Sequence, residues 1–80
     1  MLAKYTVVRV VRLLRPIDDY DGWLLNQRPP KIEDTGYIVD ILQAPNLPIR
    51  YLVESSAADG TDIWLSEFEV DELESMQQQE

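Results

Sequence analysis

Eighty residues permit one domain with one small core, and 15 acids against 7 bases give it a formal net charge of −8. The chain has no Cys and no His. That removes disulfides, thiolate metal sites, the commonest general base and the commonest soft nucleophile.

Charge is unevenly placed along the chain. The first sixteen residues carry four cations and no acid, whereas Glu54–Glu80 holds nine acids and no base. Nucleic-acid binding rests on a basic surface that neutralises phosphates, so this balance speaks against it. Attraction to a basic protein partner is permitted, since such charge steers encounter. The opening MLAKYTVVRVVRLLRP looks superficially like a leader. Lys4, Arg9, Arg12 and Arg15 interrupt it and no small-residue cleavage site follows, so it reads as neither a signal peptide nor a membrane span. A chain without cysteine is compatible with a cytoplasmic location.

Residues 4–15 are rich in Val and Leu and predict a long first strand. Arg9, Arg12 and Arg15 recur at a helical spacing, but the β-branched cluster Val7, Val8, Val10, Val11 is penalised in a helix and Pro16 stops the run. Residues 16–33, with three prolines, one glycine and three aspartates before Glu33, predict a long loop. Loops of that length in small domains often bind partners. Asp34-Thr35-Gly36 predicts a turn, and Tyr37–Leu42 a second strand with Tyr37, Val39 and Ile41 on one face and Asp40 on the wetter one. Ile49–Glu54 follows as the third strand, so that Val39, Ile41 and Val53 are expected to share an interior. Asp59-Gly60 signals a hairpin into a fourth strand at Thr61–Leu65.

Ser66-x-x-Glu69 has the form of a capping box, predicting one short helical turn near 66–71 before a closing strand at Val70–Glu74. A longer helix through Met76 is the rival. One domain over 1–76 and a polar, flexible tail at 77–80 complete the expected organisation. The fold class is thus all-β, a small five-stranded barrel whose closure hides its sheet edges.

The residues VVRLLR, DTGYIVDIL, YLVE and DGTDIWLSEFEVDEL together resemble a bacterial family of small uncharacterised SH3-like barrel proteins. The likeness spans about three quarters of the chain. Asp34 and Gly36 match the family's turn, Glu33 replaces its first glycine, and Ile17–Lys31 departs most from its pattern. The resemblance implies a fold and brings no catalytic residues with it.

Chemistry would have to come from carboxylates, lysines, tyrosines or serines. Asp18-Asp19-x-Asp21-Gly22 is the nearest approach to a cation site. An EF-hand counted from Asp18 or Asp19 would need an acid where Pro29 or Pro30 stands, and a solvated turn explains the cluster equally well. No catalytic, cofactor or metal residue is therefore assigned. Arg9, Arg12 and Arg15 are expected to pair with the chain's own acids rather than with a phosphate.

The candidate interaction surface comprises Tyr20, Trp23, Leu24, Trp64, Glu67, Glu69, Asp71 and Glu72. Alternation leaves Trp64 either an exposed anchor or a side chain packed beneath the long loop. Pro29-Pro30 either stiffens that loop or offers a polyproline segment. The expected function is a non-enzymatic, acidic protein-interaction module, for instance an immunity protein or antitoxin occluding a basic partner. The alternative is an accessory structural domain of a larger enzyme complex. Third comes a small-ligand binder or enzyme using loop 16–33. Oligomeric state is left open.

Overall fold

In the computed structural model, which describes residues 2–76, five strands and two short 3₁₀ turns follow one another. They are β1 (Val7–Val10), η1 (Ile17–Tyr20), β2 (Thr35–Leu42), β3 (Arg50–Ser56), β4 (Asp62–Glu69), η2 (Val70–Glu72) and β5 (Leu73–Ser75). The polar tail predicted at 77–80 lies outside the described residues. All strand pairs are antiparallel, in the single sheet order β4-β3-β2-β1-β5. The two outer strands, β4 and β5, are not paired with each other, so the sheet is open. No helix among the described residues is long and apolar enough to cross a membrane.

Alternation predicts β3 well; for β4 it leaves the phase open, and the structure extends that strand from the predicted Leu65 to Glu69. Tyr51, Val53 and Ser55 point inward from β3, and Trp64, Ser66 and Phe68 from β4. With Val8, Val10, Tyr20, Ile38 and Leu73, the apolar members of these two rows form the core. Phe68 is its centre of aromatic packing, 5.3 Å from the Tyr20 ring and 5.5 Å, edge-on, from Trp64. The Asp59-Gly60 hairpin signal is also correct: Gly60 has φ +88°, and the Asp59 carboxylate accepts the Thr61 N–H at 2.9 Å.

Four predicted features are corrected. The long first strand shrinks to Val7–Val10, because the next amides leave the ladder: Val11 N–H donates to the Glu72 carbonyl at 2.8 Å and Leu14 N–H to the Glu72 carboxylate at 3.1 Å. In β2 the core residue is Ile38, while Val39 is only half-buried. The register slips there, from Ile38 opposite Val53 to Asp40 opposite Leu52, so Val39 is an extra residue that resets the alternation. Ile41 consequently packs on the core in phase with Ile38, and Val53 is fully buried.

The capping box at Ser66 does not form. Ser66 is a buried residue of β4, because the period-two row Trp64, Ser66, Phe68 carries the strand on to Glu69. The box sits three residues later, with Glu69 as N-cap and Glu72 at N3 of η2, which delays the last strand to Leu73–Ser75. Finally, Gly36 is not a turn residue but part of β2, opposite Val8. A Cβ on Gly36 would lie 2.5 Å from the Glu54 carbonyl oxygen and 2.9 Å from Val53 Cγ1. Gly36→Ala should therefore push β2 off β3 and destabilise the domain by about 1–3 kcal/mol, read as a lower midpoint in urea with unchanged slope.

Candidate interaction surface

The long connection from Val11 to Asp34 does not hang free. It lies along the outer edge of β4 and supplies the hydrogen bonds a sixth strand would have made. Gln27 N–H donates to the Ile63 carbonyl at 2.8 Å. Asn26 imitates a strand residue with its side chain, its Oδ1 accepting the Leu65 N–H at 2.8 Å. The Arg15 guanidinium donates to the Glu67 carbonyl and stacks on the Tyr20 ring at 4.4 Å. A polar side chain thus blunts an edge strand that would otherwise invite pairing.

Two carboxylates, Glu72 fully buried and Asp34 half-buried, pin this connection to the sheet. Glu72 is fully buried, and accepts N–H bonds from Glu69 at 2.9 Å and Leu14 at 3.1 Å together with the Tyr20 hydroxyl. Burial first, and then this bond, push the Tyr20 phenol above its usual value. Asp34 accepts a two-pronged bond from Arg28 at 2.7 and 3.2 Å, the Lys31 N–H at 2.9 Å and the Trp64 indole N–H at 2.9 Å. Its burial favours the neutral acid. The Arg28, Trp64 and Lys31 bonds outweigh that and hold Asp34 below the ordinary carboxylate value.

Between these anchors a tip protrudes. Tyr20 is buried, and Asn26 Nδ2 donates to the Tyr20 carbonyl at 3.0 Å, drawing the two ends of segment 21–25 together into a neck. Beyond the neck, Asp21 and Leu24 close a turn with a 3.1 Å backbone bond. The apolar side chains of the tip face outward: Trp23 is 49 % exposed, Leu24 84 % and Leu25 65 %. Ile17, Asp18, Asp21, Leu24, Arg28 and Pro29 line a concavity of about 340 Å³ beside it.

The structure therefore divides the eight predicted surface residues. Trp23 and Leu24 share the exposed tip, and Asp71 is exposed elsewhere, on η2. Glu67 and Glu69 are half-buried on the outer side of β4. Tyr20, Trp64 and Glu72 are corrected: all three are buried and unavailable to a partner. Of the two options alternation left for Trp64, burial is the one realised. The indole faces inward in the Trp64, Ser66, Phe68 row, and its N–H donates to Asp34 at the end of the long connection.

The acidic C-terminal stretch is not one patch. Glu72 lies inside, Glu74 pairs with Arg9 at 2.5 Å, and Glu67 pairs with Arg50 at 3.6 Å. The arginines are likewise occupied: Arg9 also reaches Glu33 at 3.5 Å, and Arg12 donates to the Asp71 carbonyl at 2.7 Å. With the Lys4–Asp40 and Arg28–Asp34 pairs, six of the seven cationic side chains are engaged within the chain. No group of three or more acids among the described residues is arranged to hold a metal ion.

Comparison with family models, with curated proteins and with solved structures returns no match. The functional reading rests on the geometry.

Sequence reasoning overlooked Asp34, Asn26, Arg15 and Arg28 as the residues that fix the loop. Only the Glu69-x-x-Glu72 spacing carried a usable signal, since an acid three residues after an N-cap is the second half of a capping box.

Proposed function

We propose that this chain is a non-enzymatic, SH3-like barrel module that binds a basic protein partner in the cytoplasm and occludes it, in the manner of an immunity protein or antitoxin. The strand order, with a 3₁₀ turn before the last strand, supports the barrel reading. One observation carries the functional reading: three adjacent apolar side chains, Trp23, Leu24 and Leu25, stand in solvent on a neck tied at Tyr20 and Asn26. Their exposure brings no stability to the isolated domain, whereas a preordered apolar tip lowers the entropic cost of association. Tryptophan is also the residue most often found at the energetic centre of interfaces. The engaged cations leave the exterior dominated by acids, which suits a basic partner and disfavours an anionic one.

Affinity capture from the native cell at low salt, using the tagged chain, should recover one protein of basic character in stoichiometric amount. Capture should weaken as salt rises, because exposed charges are screened within about 10 Å at 0.1 M. If the wild-type chain retains nothing even at low salt, the interaction-module reading fails.

A further inference from the structure

The interaction-module reading leaves open which acidic surface meets the partner. We infer that it is the tip, and that the tip takes a cationic, amphipathic segment of the partner, seating one apolar side chain in the concavity between Ile17, Leu24 and Pro29 while lysines or arginines meet Asp18, Asp19 and Asp21. This inference rests on the proposal above and names its ligand chemistry.

Charge decides between the two surfaces. On β4, Glu67 already has Arg50 as its counterion, and both line the groove beside it. At the tip, Asp18 and Asp19 are exposed, and no cation of the described residues lies within 4.0 Å of the Asp18, Asp19 or Asp21 carboxylates. The concavity does contain one cation, Arg28, but its guanidinium is bound two-pronged to Asp34 and turned to that internal task. The aspartates thus stand at a hollow of mixed lining, where Ile17, Leu24 and Pro29 form the apolar wall beside Asn26 and Gln27, and the nearby Arg15 guanidinium reaches the Asp19 carbonyl, at 3.5 Å, rather than a carboxylate. A purely cationic ligand would leave Ile17 (45 % exposed) and Leu24 wet, and a purely apolar one would strip water from Asp18 without replacing it.

Backbone conformation points the same way. Leu24 has φ +58°, a left-handed geometry that costs a γ-branched residue energy and that glycine or asparagine would adopt more cheaply. A large apolar side chain held there in solvent is unfavourable for the domain alone, and such strain collects where a partner is engaged.

The test uses the full chain and three synthetic peptides with helical amphipathic spacing, built from lysine and leucine, lysine and serine, and glutamate and leucine. Amide chemical shifts followed by NMR should move for residues 17–29 with the lysine–leucine peptide alone. Leu24→Asn fits the left-handed backbone, so its melting temperature should equal or exceed wild type while peptide affinity falls at least tenfold. The double variant Asp18→Asn, Asp19→Asn should weaken binding and flatten its salt dependence. Three results would each overturn the inference: shifts confined to Glu67 and Glu69 on β4, equal binding of the lysine–serine peptide, or no binding by wild type at low salt. Affinity capture separates this from the broader reading. If L24N still recovers the partner as well as wild type does, the tip is the wrong surface and the module stands; if wild type recovers none, the module reading itself fails.

Discussion

Glu72→Ala is expected to cost about 3–5 kcal/mol, most of the stability a domain of this size possesses. The carboxylate is fully buried and serves three donors, the Glu69 and Leu14 amides and the Tyr20 hydroxyl. Alanine orphans all three and opens a void, and each buried donor left unpaired costs about 1–3 kcal/mol. These donors belong to the end of β4, to the chain leaving β1 and to the start of the loop, so their losses are coupled rather than additive. Glu72→Gln keeps the volume but turns an N–H₂ group toward a donor, and should fall between the two. Urea unfolding with tyrosine and tryptophan fluorescence checks the order wild type, E72Q, E72A. An E72A midpoint indistinguishable from wild type would show that the carboxylate is not a fastening point.

Burial of Tyr20, together with its bond to Glu72, sets an alkaline limit. The Tyr20 phenol is raised above its usual 10.0, so the fold favours the protonated form. The stability this contributes is complete below pH 10 and is lost as pH climbs through the raised value. Tyr20→Phe should flatten that alkaline decline.

Why Glu72 escaped notice in the sequence is instructive. Glu67, Glu69, Asp71, Glu72 and Glu74 read as one wet, acidic run. What distinguishes Glu72 is its contact with Leu14 and Tyr20, 58 and 52 positions away. Composition and local periodicity carry no information about such separations. By contrast, β3 was legible because period-two alternation is local, and the β3–β4 turn because Asp-Gly has few other uses, whereas the apolar run Ile63–Leu65 fits either phase of β4. The slip at Val39 was hidden for the opposite reason: in an apolar run such as Tyr37–Leu42, either phase satisfies the pattern. Tyr20 and Trp23 looked equivalent as loop aromatics, yet the neck between Tyr20 and Asn26 puts one inside and the other out. The tip was thus half visible: its residues could be named, but the anchors that hold it could not.

Trp64→Ala should also approach complete unfolding, with an expected loss of about 3–5 kcal/mol from the cavity alone. Trp64 is 1 % exposed and packs edge-on against Phe68, so its removal empties the centre of the core. Trp64→Phe separates packing from polarity. It retains an aromatic ring but deletes the indole N–H that Asp34 accepts, and a bond to a charged acceptor is worth about 1.5–3 kcal/mol. Because Arg28 and the Lys31 amide still hold the carboxylate, W64F should remain folded and lose part of its acid resistance. The sign follows from Asp34 lying below its ordinary 3.8: its contribution is complete above that value and disappears as pH falls through the lowered one. In W64F the carboxylate has one donor fewer, its pKa rises toward the ordinary value, and acid unfolding should begin at higher pH than in wild type. The indole N–H resonance of Trp64 reports the event directly in wild type, shifting as Asp34 protonates, while the exposed Trp23 indole serves as an internal control. Should the Trp64 resonance stay fixed through the acid limb while the domain unfolds, some other carboxylate governs the transition, and Asp34 is a packed acceptor with no share in the pH response.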